Sequence, residues 1–201
     1  MSWRVQPTTN SHFDDEARAL WSRLGIDPKS TTGNRGYNPI DPIYRHPKTG
    51  STIFVGNQTA ASTLNILTDA NITHVVNCTF GIGEIPNFHA SRLKYYRFPV
   101  SDWRAQLDRH GGDMEKFLAP LWTFIDEAGA QGTNVLVHCL AGAHRAGTTG
   151  CAILIRYGKM DASQAVRTAK QLRPIIDPIC DFPNFLSRVD AVHKRHREVS
   201  E

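Results

Sequence analysis

The stretch Val135-Leu-Val-His-Cys-Leu-Ala-Gly-Ala-His-Arg145 decides the fold, because a short apolar run leads into a cysteine and reaches an arginine six positions later. The run from Val135 to Val137 is typical of a buried central strand, and the run from Cys151 to Ile155 is typical of the buried face of a helix. The segment between them is therefore predicted to turn directly from a strand into a helix.

A strand-to-helix turn of this kind is suited to binding an anion. Successive backbone N–H groups point into the turn, and the N-terminus of the helix adds its positive dipole. Gly142 lets the backbone curl tightly at this point. These donors and the guanidinium of Arg145 favour the thiolate form of Cys139 at neutral pH. Cys139 is therefore predicted to be a nucleophile.

The composition predicts one folded domain in a reducing compartment. With 201 residues, 40% of them hydrophobic, the chain can bury one substantial core. The sequence holds no run of 18 apolar residues and opens without a secretory signal pattern, so a cytoplasmic protein is expected, with the nucleus as a second compartment and no membrane partner. The four cysteines show no C-x-x-C pair, which favours reduced thiols over a disulfide or zinc framework.

The charge of the chain does not indicate a nucleic-acid partner. The formal net charge is only +4, and part of the excess lies in His193-Lys-Arg-His-Arg197. A solvated helix end explains that cluster better than a binding patch. The chain also lacks Asp and His residues at metal-ligand spacing, so no metal is expected. The sequence does not indicate an oligomeric state.

The order of elements predicts an α/β fold with a central, mostly parallel sheet flanked by helices. Residues 1–50 are predicted to be an N-terminal extension with one short helix at 14–24, and residues 51–201 to be the catalytic domain. In the extension, Asn34 to Pro39 could line a groove, but a surface loop shaped by Gly and Pro is favoured. Strands are predicted at 52–55, 74–78, 94–100 and 135–137, and helices at 60–70, 113–128, 146–157, 162–172 and 182–194.

Hydrolysis of a phosphate ester needs an in-line nucleophile, fixed positive charge and a proton for the leaving oxygen. Cys139 would attack phosphorus and form a phosphocysteine. Arg145 would hold two phosphate oxygens in a bidentate fork. The remaining donors would be the backbone amides of Leu140, Ala141, Gly142, Ala143, His144 and Arg145.

The proton source is expected after another strand, because catalytic side chains gather where parallel strands end. Asp102 in Phe98 to Trp103 fits this position, although a turn-forming Asp explains it equally well from spacing alone. Asp108 and Asp113 are alternates, and Asp113 is better explained as a helix cap.

Two histidines flank the predicted nucleophile and are interpreted differently. His138 is predicted to be buried and directed away from the loop rather than to shuttle protons. His144 either faces solvent or adds positive charge when protonated, and the sequence does not separate these two roles.

The pattern His138-Cys-x-x-Gly-x-x-Arg145, together with Asp102, resembles the atypical dual-specificity phosphatases of the protein tyrosine phosphatase superfamily. The likeness covers about residues 51–195 and includes Thr52 to Asn57, Ile72 to Asn77 and Gln171 to Ile176. It implies a protein phosphatase acting in signalling on phosphotyrosine and on phosphoserine or phosphothreonine, with Cys139 as nucleophile, Arg145 as phosphate clamp and Asp102 as general acid. It implies no metal and no organic cofactor.

The chain departs from the family pattern in two places. The family carries Ser or Thr directly after the loop arginine, where its hydroxyl helps the thiolate to leave, but this chain has Ala146. The second step is therefore expected to be slow, and the helix is expected to point Thr148 and Thr149 elsewhere. The polar stretch from Arg104 to Gly112 is longer than in many relatives and could reshape the acid loop.

Cys78 ends a predicted strand and is expected near Cys139 at the same edge of the sheet. Some members of the resembled family protect an oxidised nucleophile with a cysteine in such a place, so Cys78 is a candidate redox partner. The competing and favoured interpretation is a small buried hydrophobic residue.

Two function classes remain open at this point. The first is the protein phosphatase, for which the lysine-free loop disfavours a phosphoinositide substrate. The second is a weakly active phosphate-recognition module that binds phosphorylated partners, which Ala146 supports. Retention of Cys139, Arg145 and Asp102 together favours the enzyme, because a binding module needs neither a thiolate nor an acid.

Overall fold

The computed structural model describes residues 10–33 and 37–199, and it describes side chains from residue 11 to residue 195 within those ranges. Five strands in this part of the chain form one sheet in the order β1-β2-β5-β3-β4. They are β1 (Ile40–Arg45), β2 (Thr52–Gly56), β3 (Ile72–Asn77), β4 (Lys94–Arg97) and β5 (Asn134–His138). Strands β2 to β5 pair in parallel, and β1 is an antiparallel edge strand. The predicted, mostly parallel sheet is confirmed.

Helices cover both faces of the sheet. They are α1 (Asn10–Leu24), α2 (Gln58–Ser62), α3 (Leu64–Asp69), α4 (Trp103–Arg109), α5 (Met114–Ala130), α6 (Arg145–Arg156), α7 (Ala162–Leu172) and α8 (Phe182–Val199). A short 3-10 helix, Val100–Asp102, precedes α4. In the described ranges, none of these helices has both the length and the hydrophobicity that a membrane span requires.

The centre of the core is β5, which lies between β2 and β3. Val135, Leu136 and Val137 are all buried. Alternate side chains of a strand point to opposite faces. Val135 and Val137 accordingly join the large apolar cluster with α5, α6 and α8, and Leu136 joins the smaller one with α3. A strand that is covered on both faces needs an unbroken apolar run, which is why this stretch was recognisable in the sequence.

Two elements differ from the sequence-based expectation. Residues 40–45, assigned to the extension, form strand β1, whose pattern is obscured by Pro42 and by a register shift between Pro42 and Tyr44. An edge strand tolerates both features. The polar stretch after Asp102 was expected to be a loop, but it forms α4, because Trp103 and Leu107 are four positions apart and both buried.

The helix predicted at 60–70 is divided in two. Asn57 caps α2 by accepting a hydrogen bond from the amide of Ala60, and the extended backbone of Thr63 separates α2 from α3. The basic cluster at 193–197 lies on α8, but His193 is buried rather than solvated.

Replacing Leu136 by Ala tests the placement of the core. Leu136 is fully buried in the central strand, so Leu136→Ala should lower the free energy of unfolding by about 2–5 kcal/mol. The control is Leu172→Ala at the end of α7, where the side chain is 43% exposed and the change should stay within about 0.5 kcal/mol. Urea denaturation measures both variants, and equal effects would contradict the assignment of β5 as the core strand.

Candidate active site

The ends of the parallel strands bring the predicted site residues to one edge of the sheet. In register, Asn77 of β3 pairs both with His138 of β5 and with Arg97 of β4. Cys139 follows β5 directly, and Cys78 follows β3 directly. The chain leaving β4 reaches Asp102 at the end of the short 3-10 helix. Cys139, Asp102 and Cys78 therefore follow strands that end at the same edge of the sheet.

The loop between β5 and α6, residues 139–144, is held in place by hydrogen bonds that its carbonyl groups accept from surrounding residues. A trans peptide unit is planar, so a carbonyl that points outward forces the following N–H to point inward. The outer hydrogen bonds therefore direct the amides of residues 141–144 into the loop, where an anion would bind. Leu140 O accepts from Gln58 N (3.0 Å), Ala141 O from Tyr37 Oη (3.1 Å) and Arg173 Nη2 (3.2 Å), Gly142 O from Arg173 Nε (3.0 Å), and Ala143 O from Asp177 N (3.1 Å).

The backbone conformation and the close packing at position 142 both require glycine. Its φ is +68°, in the left-handed region that favours glycine. A Cβ added to it would lie 2.5 Å from the carbonyl oxygen of Gly56. In this conformation its amide donates to Cys139 Sγ at 3.3 Å, which holds the sulfur at the start of the loop.

The buried arginine Arg173 is a structural residue that the sequence reasoning missed. Its guanidinium is 1% exposed; it donates to two loop carbonyls and to the backbone of Asn38 at 2.9 Å, and it forms an ion pair with Asp41 of β1. The resemblance includes the segment from Gln171 to Ile176, and the signal available there was an arginine directly before a proline.

Tyr37 is the second residue whose role was missed. Its hydroxyl donates to Ala141 O and accepts from Asn57 Nδ2 at 2.8 Å, and the side chain is buried. The surface-loop interpretation of this segment is therefore wrong for Tyr37. Residues 34–36 of the same segment lie outside the described residues.

Arg145 is the first residue of α6, and it has a partner that the sequence did not indicate. Its Nη2 forms an ion pair with the carboxylate of Asp14 in α1, and its guanidinium lies 5.6 Å from the ring of Phe13. The arginine side chain is 1% exposed and that of Asp14 is 15% exposed. The N-terminal helix therefore contacts the residue predicted to clamp phosphate.

The segment that carries Asp102 is anchored to the start of α8. Trp103 is buried against Phe185 with ring centroids 5.7 Å apart, and Arg104 forms a two-fold ion pair with Asp181. Among the described residues, the Asp102 carboxylate caps no helix and accepts from Gln106 Nε2 at 2.9 Å. Its amide donates to Pro99 O at 3.0 Å, so Asp102 does lie in a turn, and its role as proton donor stays a prediction. Asp113, by contrast, caps α5 as predicted.

Both histidines near the nucleophile are buried. Burial lowers the pKa of His138 to about 3, so its imidazole is neutral at physiological pH. His144 neither faces solvent nor favours the charged form, because burial lowers its pKa as well. Its Nδ1–H donates to the carbonyl of Asp177 at 2.8 Å, which fastens the loop to the segment after α7.

The Thr149 hydroxyl does not take the place of the Ser or Thr hydroxyl that the resembled family carries at the position of Ala146. Thr149 donates to the carbonyl of Arg145 at 3.0 Å, and its oxygen lies 3.4 Å from Cys78 Sγ. Cys78 is fully buried, and burial raises the pKa of its thiol. Cys78 lies in the main apolar cluster, which agrees with the favoured interpretation of a small buried hydrophobic residue, and its redox role stays a prediction.

Comparison with known proteins identifies relatives of this architecture. The family model described as "Dual specificity phosphatase, catalytic domain" matches residues 53–190. Protein phosphatase Slingshot homolog 3 of Mus musculus is 34% identical over 127 residues, which are 63% of this chain and 18% of that protein. Dual specificity protein phosphatase 1 of Arabidopsis thaliana is 30% identical over 130 residues, 65% of this chain and 61% of that protein. The matches thus span less than two thirds of either relative.

A solved structure shows the same fold. The crystal structure of a mouse putative dual specificity phosphatase complexed with zinc tungstate superimposes with a TM-score of 0.63. It is 24% identical and covers 83% of this chain and 95% of the mouse chain. At this identity the likeness concerns the fold alone.

Replacing Arg173 by Met tests the outer support of the loop. The change leaves the Asp41 carboxylate buried without its guanidinium, so the free energy of unfolding should fall by about 3–5 kcal/mol. Tungstate should also bind more weakly, because the carbonyls of Ala141 and Gly142 lose donors. Adding Asp41→Asn should recover part of the stability. The control is Arg167→Met on the exposed face of α7, and equal losses from both arginines would refute the structural role.

The raised pKa of Cys78 predicts the pH dependence of its oxidation. Peroxide converts Cys139 to a sulfenic acid, and attack of a Cys78 thiolate on its sulfur breaks the S–O bond and forms the disulfide with release of hydroxide, which solvent protonates. Thiolate is scarce below a raised pKa, so the rate of disulfide formation should rise about tenfold per pH unit and show no plateau at the ordinary thiol pKa of about 8.5. Alkylation followed by non-reducing peptide mapping measures it, with Cys151→Ala as the control that retains the bond. Absence of a Cys78–Cys139 peptide at every pH would reduce Cys78 to a packing residue.

Proposed function

Because this chain belongs to the dual-specificity phosphatase catalytic-domain family, we propose that it hydrolyses phosphotyrosine and phosphoserine or phosphothreonine in proteins through a phosphocysteine intermediate. The observation that carries the proposal is the loop around Cys139, whose outward carbonyls leave four consecutive amides directed inward. A preorganised set of donors stabilises the charge of a phosphoryl group in transfer without reorganisation.

In the first step the Cys139 thiolate attacks phosphorus as the bond to the ester oxygen breaks. The leaving oxygen takes a proton, for which Asp102 is the proposed donor. Its location after β4 supports this role, since that places it at the edge where Cys139 begins the loop. Arg145 and the loop amides hold the equatorial oxygens throughout.

In the second step water attacks the phosphocysteine, Asp102 accepts the proton of the water, and the thiolate leaves. A hydroxyl near the sulfur would stabilise the departing thiolate, but Ala146 supplies none and the Thr149 hydroxyl is bonded to a backbone carbonyl. We therefore expect hydrolysis of the phosphocysteine to limit turnover.

The residues of the loop favour a singly phosphorylated protein over a highly charged small molecule. Between Cys139 and Arg145 the side chains are those of Leu, Ala, Gly, Ala and His, and burial lowers the pKa of that histidine. The loop therefore contributes no side-chain cation besides Arg145, whereas multiply phosphorylated ligands call for additional positive charge.

The alternative is a phosphate-recognition module that retains phosphorylated partners. Ala146 favours it, because slow hydrolysis prolongs the bound state. Asp102 opposes it, because a module that only binds has no use for a carboxyl group at the position of the proton donor.

Pre-steady-state hydrolysis of p-nitrophenyl phosphate tests the enzyme. The wild type should release a burst of nitrophenolate equal to the enzyme concentration and then turn over slowly. Ala146→Ser should speed the steady phase by about tenfold, within the range of one added charge-assisted hydrogen bond. Asp102→Asn should slow the burst by about 100-fold or more, within the range of general acid catalysis.

The matched controls are Cys139→Ser, which should show no burst, and Asp108→Asn, which removes an exposed carboxylate from α4 and should leave both phases unchanged. If the wild type releases no nitrophenolate but binds a phosphotyrosine peptide, the recognition module is the correct function.

A further inference from the structure

The contact between Asp14 and Arg145 places a carboxylate on the guanidinium that a substrate phosphate would use. The two residues are 131 positions apart, and both side chains are largely buried. A carboxylate and a phosphate present oxygens to an arginine in the same planar fork geometry. The N-terminal helix therefore supplies an anion to the clamp from within the chain.

Helix α1 packs against α8, against the loop and against the segment before β1. At its start, Phe13 is buried and stacks on Phe182 with ring centroids 4.9 Å apart. In its middle, Ala17 packs in one apolar cluster with Ala141 and Ala143 of the loop. Near its end, Trp21 Nε1 donates to the hydroxyl of Tyr37 at 3.3 Å. These contacts fix the position of α1 and therefore keep Asp14 beside Arg145.

A phosphate and the Asp14 carboxylate cannot both have the full attraction of Arg145. Two anions on one buried guanidinium repel each other, and the repulsion is strong where water is excluded. A phosphate ester would arrive as a dianion at a site whose one side-chain cation is already paired. A phosphate that binds here must therefore either displace the Asp14 carboxylate or lose much of its attraction to the Arg145 guanidinium.

We propose that α1 is an inhibitory cover in which Asp14 competes with the substrate phosphate for Arg145. This inference rests on the proposed function, since it concerns the same anion site. In the covered state Arg145 is paired with Asp14, and in the open state α1 has moved and Arg145 holds the phosphate. The carboxylate thus lowers the affinity for every phosphorylated substrate and makes release of α1 a point of control.

Tungstate, a tetrahedral dianion, tests the competition without requiring turnover. Calorimetric titration of the full chain should show that Asp14→Asn binds tungstate about tenfold more tightly than the wild type, the gain expected when a charge-assisted competitor is removed. Asp15→Asn is the matched control, because Asp15 is 74% exposed and pairs with Arg18 on the same helix. Equal or weaker tungstate binding by Asp14→Asn would overturn the proposal and make Asp14 a residue that positions Arg145.

Hydrogen exchange of the wild type provides a second measurement that does not depend on a variant folding. A ligand normally slows exchange near its site. If tungstate displaces Asp14, the amides of residues 11–24 should exchange faster in its presence, while those of β5 exchange more slowly. Slower or unchanged exchange in residues 11–24 would overturn the proposal.

The two proposals fail in different experiments. If the wild type releases no nitrophenolate but Asp14→Asn binds tungstate more tightly, the proposed activity is refuted and the inhibitory role of α1 is supported. If the wild type shows a normal burst but Asp14→Asn binds tungstate as the wild type does, the proposed activity is supported and the inhibitory role of α1 is refuted.

Discussion

The anchoring of the loop carbonyls is the constraint on which the site depends. Backbone amides converge on one point only if every intervening carbonyl is turned away and satisfied elsewhere, because each peptide unit carries both groups on opposite sides. Arg173 satisfies two of these carbonyls and is itself held by Asp41 of the edge strand. The anion site is thus built from outside, by residues that would never touch the anion.

This arrangement explains why the edge strand and the segment before it matter to the chemistry. Asp41 lies in β1, and Tyr37 lies just before it. Both act on the loop from a part of the chain that the composition marks only as Pro- and Gly-rich. The antiparallel edge strand therefore does more than close the sheet, since it carries the counter-ion of the arginine that shapes the loop.

The sequence predicted those parts of the molecule that are encoded locally. The apolar run of β5, the loop and α6 are contiguous, so periodicity and one glycine were sufficient to find them. The roles of Tyr37 and Asp14, and the ion pair that holds Arg173, depend on contacts between residues more than 100 positions apart, which no local pattern records. The loop carbonyls that Arg173 contacts lie 31 and 32 positions away, which is also beyond the reach of a local pattern. Strand β1 and helix α4 were missed for a different reason, since Pro42 and the polar residues after Trp103 hide short elements whose stability comes from packing.

The burial of Arg145 has two consequences for the proposed site, one for its affinity for phosphate and one for its stability when no phosphate is bound. A guanidinium removed from water attracts a phosphate strongly, but for the same reason it is costly to leave without an anion. In the proposed mechanism neither Cys139 nor phosphate is an anion that stays beside Arg145, because Cys139 is phosphorylated during the reaction and phosphate leaves as the product. Asp14 of α1 would supply the anion that the buried guanidinium requires between turnovers. It would also compete with the next substrate for Arg145. In the proposed cover, Asp14 couples the stability of the empty site to its affinity for phosphate, so that any event that moves α1 changes both together.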